Sequence, residues 1–113
     1  MRLADHQRRA FEAEMAMART CNANGRADHA FHHLERAHVI GQRNVGAHVR
    51  AHVGMLRIGW QRRDGHEILG QLLRIPAALT KTLLWVPRGN TGGANVNAFR
   101  PMPIPADLQH LVD

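Results

Sequence analysis

Apolar residues recur every three to four positions through most of the chain, in four runs separated by short clusters of Gly, Asn and Asp. Phe11, Met15, Ala18 and Cys21 share one helical face, and Asn24-Gly25 supplies a stop in which the glycine takes the left-handed conformation. Ala30, Phe31, Leu34 and Ala37 form the second stripe. Val45, Val49, Leu56 and Trp60 form the third, with Asn44 placed to cap it. The most apolar stretch, Ile68 to Val86, reads as a core helix continuing through Ala78, Leu79, Leu83, Leu84 and Trp85. The spacing predicts helices over 3–23, 27–40, 45–62 and 66–85.

Short turns at Asn24-Gly25, Gly41 to Asn44 and Asp64-Gly65 make neighbouring helices antiparallel. The expected fold is a single all-α domain over 1–113. It is a four-helix bundle of two antiparallel, tetratricopeptide-like hairpins, with the last helix kinked or split at Pro76. Beyond Val86 the character changes to a Gly- and Pro-rich tail over 87–113, an extended strap anchored by Val96, Phe99, Met102 and Ile104. Ala106 to Val112 adds a final helical turn or two.

Composition narrows the function classes. Fifteen Lys and Arg against nine Asp and Glu give a net charge of +6, but the arginines are spread along the chain opposite the apolar stripes. A solvated basic face explains them better than a nucleic-acid surface, since a reading helix and an aromatic stacking set are both missing. The apolar stretch 68–86 is interrupted by Gln71, Arg74, Pro76 and Lys81 and falls short of a membrane span. The lone Cys21 excludes an intramolecular disulfide, and the charged N-terminus lacks the apolar core of a signal peptide; cytoplasm is the default expectation.

The candidate chemistry lies in the histidines. Advancing ~100° per residue, His38 falls one turn after Leu34 on the inward arc of helix two. His48 and His52 share a face of helix three at i, i+4, and a turn at 41–44 brings them level with His38. Glu14 lies on the inward arc of helix one. A buried imidazole or carboxylate needs a partner, and Glu14, His38, His48 and His52 together would make a shell for one divalent metal: Zn, Fe, Ni, Mn or Cu. Glu35 is an outer carboxylate or extra ligand. His29 and His33, one turn apart on the polar side, form a second and weaker cluster. The scattered methionines read as core, and Gly89-Asn-Thr-Gly-Gly93 reads as a structural turn, since it lacks the lysine of a phosphate loop.

Leu34-Glu-Arg-Ala-His38, Gly41-Gln42, His48, His52, Gly89-Asn-Thr-Gly-Gly93 and Pro101-Met-Pro-Ile-Pro105 together resemble an uncharacterised bacterial family of small helical proteins, a domain of unknown function. The resemblance covers most of the chain and carries no established activity; it is compatible with metal handling or tolerance. The expected function is therefore transition-metal binding, whether for storage, sensing, structure or catalysis. The alternative is a helical-hairpin interaction module that docks an acidic protein partner, with its histidines in a structural role. Homo-oligomerisation is open in both readings.

Overall fold

The computed structural model describes residues 2–82 and 84–112, so Leu83, expected in helix four, lies outside the described residues. Every regular element among them is helical. They are α1 (Asp5–Ala23), α2 (Ala27–Gly41), α3 (Val45–Gln61), α4 (Gly65–Lys81), a 3-10 turn (Ala106–Leu108) and α5 (Gln109–Val112).

Local chemistry sets the helix ends. The Ala4 amide donates to Gln7 Oε1 at 2.9 Å, occupying a donor that the first turn of α1 cannot use. At the other end Gly25 has φ 75°, and the Arg26 amide reaches back to the Cys21 carbonyl at 2.8 Å, the closing bond of a Schellman turn. Asn44 caps α3 as its position predicts, accepting from the Ala47 amide at 2.9 Å. Asp64 caps α4 in the same way through the Glu67 amide at 3.1 Å. In the turn between them it is Arg63, not a glycine, that occupies the left-handed region with φ 55°.

Consecutive helices pack on one another, α1 on α2, α2 on α3 and α3 on α4, while α1 touches α3 only lightly. Phe11, Met15, Ala18, Leu34, Ala37, Met55 and Ile58 fill the core, and Leu108 and Leu111 close it from the C-terminal end. This is a helical bundle.

Three expectations from the apolar pattern are corrected by the packing. The buried face of α3 is Ala47, His48, Ala51, His52, Met55, Ile58 and Gly59, whereas Trp60 is 71% exposed and Val45, Val49 and Leu56 are half-buried. Helix α4 is inverted. It buries Glu67, Gln71 and Ala78 and leaves Leu69, Leu72, Leu73 and Leu79 between 53 and 67% exposed. Its inward side must supply polar partners to buried groups on α3 and the tail, and that requirement overrides the preference of the leucines for the interior. The helix runs through Pro76 as one element and stops at Lys81, so it is not split there and Leu84 and Trp85 fall beyond it, exposed.

Polar pegs order the tail. Gln42 Nε2 donates to the Pro87 carbonyl at 2.7 Å, and its Oε1 accepts from the Gly89 amide at 3.2 Å. The buried Asn90 side chain donates to the carbonyls of Asn97 (2.8 Å) and Arg100 (2.7 Å). Phe99, expected as an anchor, is 64% exposed, while Ile104 does pack against the core.

The left-handed Arg63 gives a direct test. A residue with a Cβ is disfavoured there by about 1 kcal/mol relative to glycine, and the arginine side chain is exposed. Arg63→Gly is expected to raise unfolding stability by up to about 1 kcal/mol in urea titrations; a loss of stability would show that the arginine makes a compensating contact.

Candidate metal centre

His38, on the last turn of α2, meets His48 and His52, one turn apart on α3. Ring centroids are 4.7 Å apart for His38 and His48, 4.7 Å for His38 and His52, and 4.8 Å for His48 and His52. All three rings are buried. One nitrogen from each lies within 4.8 Å of the other two, and this is the set among the described residues whose donors could share an ion.

Hydrogen bonding decides which nitrogens these are. His38 Nδ1 lies 2.7 Å from the Asn90 carbonyl, which can only accept, so the proton is on Nδ1. His52 Nδ1 lies 2.6 Å from Gln71 Oε1. The amide nitrogen of Gln71 donates to Glu67 Oε2 at 2.6 Å and to the Gly92 carbonyl at 3.0 Å, which turns its oxygen toward His52 and again requires Nδ1–H. His48 Nδ1 lies 2.9 Å from Thr82 Oγ1, whose own proton goes to the Ala78 carbonyl. Three Nδ1 protons are thus committed, and three Nε2 lone pairs are left.

Two of those lone pairs face each other, with His38 Nε2 and His52 Nε2 3.2 Å apart. Without a positive charge between them the contact is repulsive. A proton is a poor candidate, because burial holds His38 well below its ordinary pKa and pushes His48 to about 4 and His52 to about 3. A metal fits: two nitrogens held at about 2.0–2.1 Å on a tetrahedral ion sit about 3.3–3.4 Å apart.

Glycine at position 92 makes the arrangement compact. Its φ is 85°, and a Cβ there would stand 2.5 Å from the His38 ring, so the tail backbone can lie flat against the imidazole only because that atom is missing. The Gly89 to Gly93 segment thus passes directly over the His38 ring.

The other sequence candidates lie elsewhere. Glu14 does not join the three rings. Its Oε2 meets His33 Nδ1 at 2.7 Å and its Oε1 accepts from Arg36 Nε at 2.7 Å, while Arg36 also binds Asp107 Oδ2 at 2.6 Å. Glu14 and these partners stitch α1, α2 and the 3-10 turn together. Helix α1 packs mainly on α2, and the carboxylate of Glu14 is held there by Arg36 and His33. Glu35 is half-buried, its carboxyl raised above the usual range by burial, and it pairs with His32 at 3.7 Å. His29 is exposed, and the Nδ1 of His33 is engaged by Glu14. Gln71, Thr82 and Asn90 are the partners of the three rings that periodicity missed. Gln71 and Thr82 interrupt the apolar run near the centre, a signal legible only once the leucine face of α4 is known to point outward.

The three rings line one end of a cavity of about 310 Å³ bounded by α4 and the tail. An ion held by three imidazoles would therefore keep an accessible side, the arrangement of an exchangeable rather than a closed site. No helix among the described residues is long and apolar enough to cross a membrane.

The chain belongs to a family of proteins of unknown function (DUF3703), whose sequence model matches residues 5–112. No curated protein and no solved structure matches it.

Depressed histidine pKa values make stability depend on pH. The unfolded chain takes up protons near 6.5 that folded His48 and His52, at about 4 and about 3, refuse. Stability of the metal-free protein is therefore full above the unfolded value and falls as pH drops from 6.5 toward the folded values. The slope is up to about 1.4 kcal/mol per pH unit for each histidine. Urea midpoints measured at pH 7.5, 6 and 5 should fall progressively; a flat profile would mean that the rings are already charged or solvated.

Proposed function

We propose that this protein binds one divalent transition metal through the Nε2 atoms of His38, His48 and His52. The observation that carries the reading is the tautomer lock, in which each Nδ1 proton is given to a fixed acceptor and the Nε2 atoms of His38 and His52 are left facing each other at 3.2 Å beside the His48 ring. Outer partners of this kind orient imidazole ligands and raise their basicity. Gln71 is itself braced by Glu67, which extends the support one step further out.

Three neutral imidazoles with no carboxylate among them favour Zn, Cu, Ni or Fe over the oxygen-seeking Mn. Glu14 has no part in this shell, and the fourth position faces the cavity. Metal handling, with exchange through that open side, is the activity best matched to such a centre.

Elemental analysis of freshly purified protein is expected to give near one equivalent of metal, and chelation should lower the melting temperature. His52→Ala should abolish the bound metal, whereas His33→Ala, whose side chain belongs to the Glu14 network, should retain it. Equal metal content in the two variants would overturn the assignment.

A second reading, self-association, is favoured by the outer face of α4 rather than by the arginines. Leu69, Leu72, Leu73 and Leu79 lie at helical spacing on one uncharged exposed ridge, with Trp60 exposed at the nearby end of α3. A second copy of the chain supplies an identical ridge, and pairing the two would bury on the order of 1,200 Å² in total, enough for a specific interface. Light scattering should find a dimer that Leu72→Glu converts to monomer with metal content unchanged; a monomeric wild type would rule this reading out.

A further inference from the structure

The cavity beside the three histidines has a definite chemistry. Leu73, Ala77, Trp85 and Phe99 give it apolar walls, and Leu73, Trp85 and Phe99 are exposed around it. Arg74 and Lys81 line it as well, whereas none of its lining residues is Asp or Glu. Arg74 is held in place by the carbonyls of Gly70 (3.2 Å) and Val96 (2.9 Å), and Lys81 Nζ lies 5.7 Å from the centre of the Phe99 ring.

Charge balance then constrains the occupant. Three neutral imidazoles leave a divalent ion without a charged ligand, since the buried Glu67 stands behind Gln71 and outside the cavity lining, and the two cationic side chains on the wall add to the excess. A buried charge without a counter-charge is costly, so the free side of the ion calls for an anion. Strongly hydrated anions such as phosphate or sulfate are poorly matched to apolar walls. A carboxylate with an apolar body is matched at both ends, as a ligand to the ion and as a cover for the exposed rings.

We propose that the cavity binds a small aromatic monocarboxylate, its carboxylate on the free side of the metal and near Lys81, its ring against Leu73, Trp85 and Phe99. This rests on the metal reading above. Size agrees: a cavity of about 150 Å³ accepts benzene, and this one is about 310 Å³, room for benzoate or a slightly longer arylalkanoate.

The test uses full-length protein loaded with Co(II), whose visible bands report its coordination. Sodium benzoate should shift those bands at a concentration at least about tenfold lower than sodium acetate, which lacks the ring, and benzyl alcohol, which lacks the charge, should leave them unchanged. Phe99→Ala and Lys81→Gln should each weaken benzoate several-fold while Co(II) uptake stays stoichiometric, since both side chains are exposed and neither supports the histidines. Stoichiometric Co(II) with bands that ignore benzoate, or that respond equally to acetate, would overturn the carboxylate site and leave the metal reading standing. Absence of stoichiometric Co(II) would overturn both.

Discussion

Everything around the centre follows from the cost of burying imidazoles. A neutral ring removed from water must place one N–H and one lone pair, and three rings clustered at the junction of α2 and α3 must do so three times. The protein satisfies the donors from outside the ring cluster, through a tail carbonyl, a threonine hydroxyl and a glutamine oxygen. The Nε2 atoms of His38 and His52 are thereby left facing each other, with the His48 ring beside them. The centre therefore holds two facing lone pairs with no proton assigned between them, within a group of three histidine nitrogens close enough together to hold a metal ion.

That demand reaches into α4, which is why the helix is turned inside out. Glu67 and Gln71 occupy an inward line one turn apart, Thr82 follows just past the end of the helix, and the leucines are left on the outside. The outward ridge is thus the corollary of an inward polar line. A helix of this composition cannot place both faces inward, and burying an unsatisfied imidazole N–H is worse than exposing part of a leucine.

The tail is held by the same economy of polar groups. Gln42, Asn90 and Arg74 each bind its backbone, and Glu67 accepts from the Ala94 amide at 3.0 Å while bracing Gln71. One carboxylate therefore couples the position of the strap to the orientation of His52. The Glu14, Arg36 and Asp107 network does comparable work on the opposite side, fastening α1 and the C-terminal turn to α2 at a distance from the histidines.

Much of this was legible in the sequence. The apolar period located four helices to within a few residues, Asn44 and Gly25 marked their ends, and the i, i+4 spacing of His48 and His52 opposite His38 placed three rings together. These are local properties, determined by helical geometry and one short turn. What the tertiary structure alone decided was the choice of partners: Glu14 to Arg36 rather than to the rings, α4 with its leucines outward, and Nδ1 rather than Nε2 as the protonated atom. Those outcomes depend on groups far along the chain, Thr82 34 residues from His48 and Asn90 52 from His38. A periodic pattern records which face of a helix differs from the other, and only packing against the rest of the molecule determines which of the two turns inward.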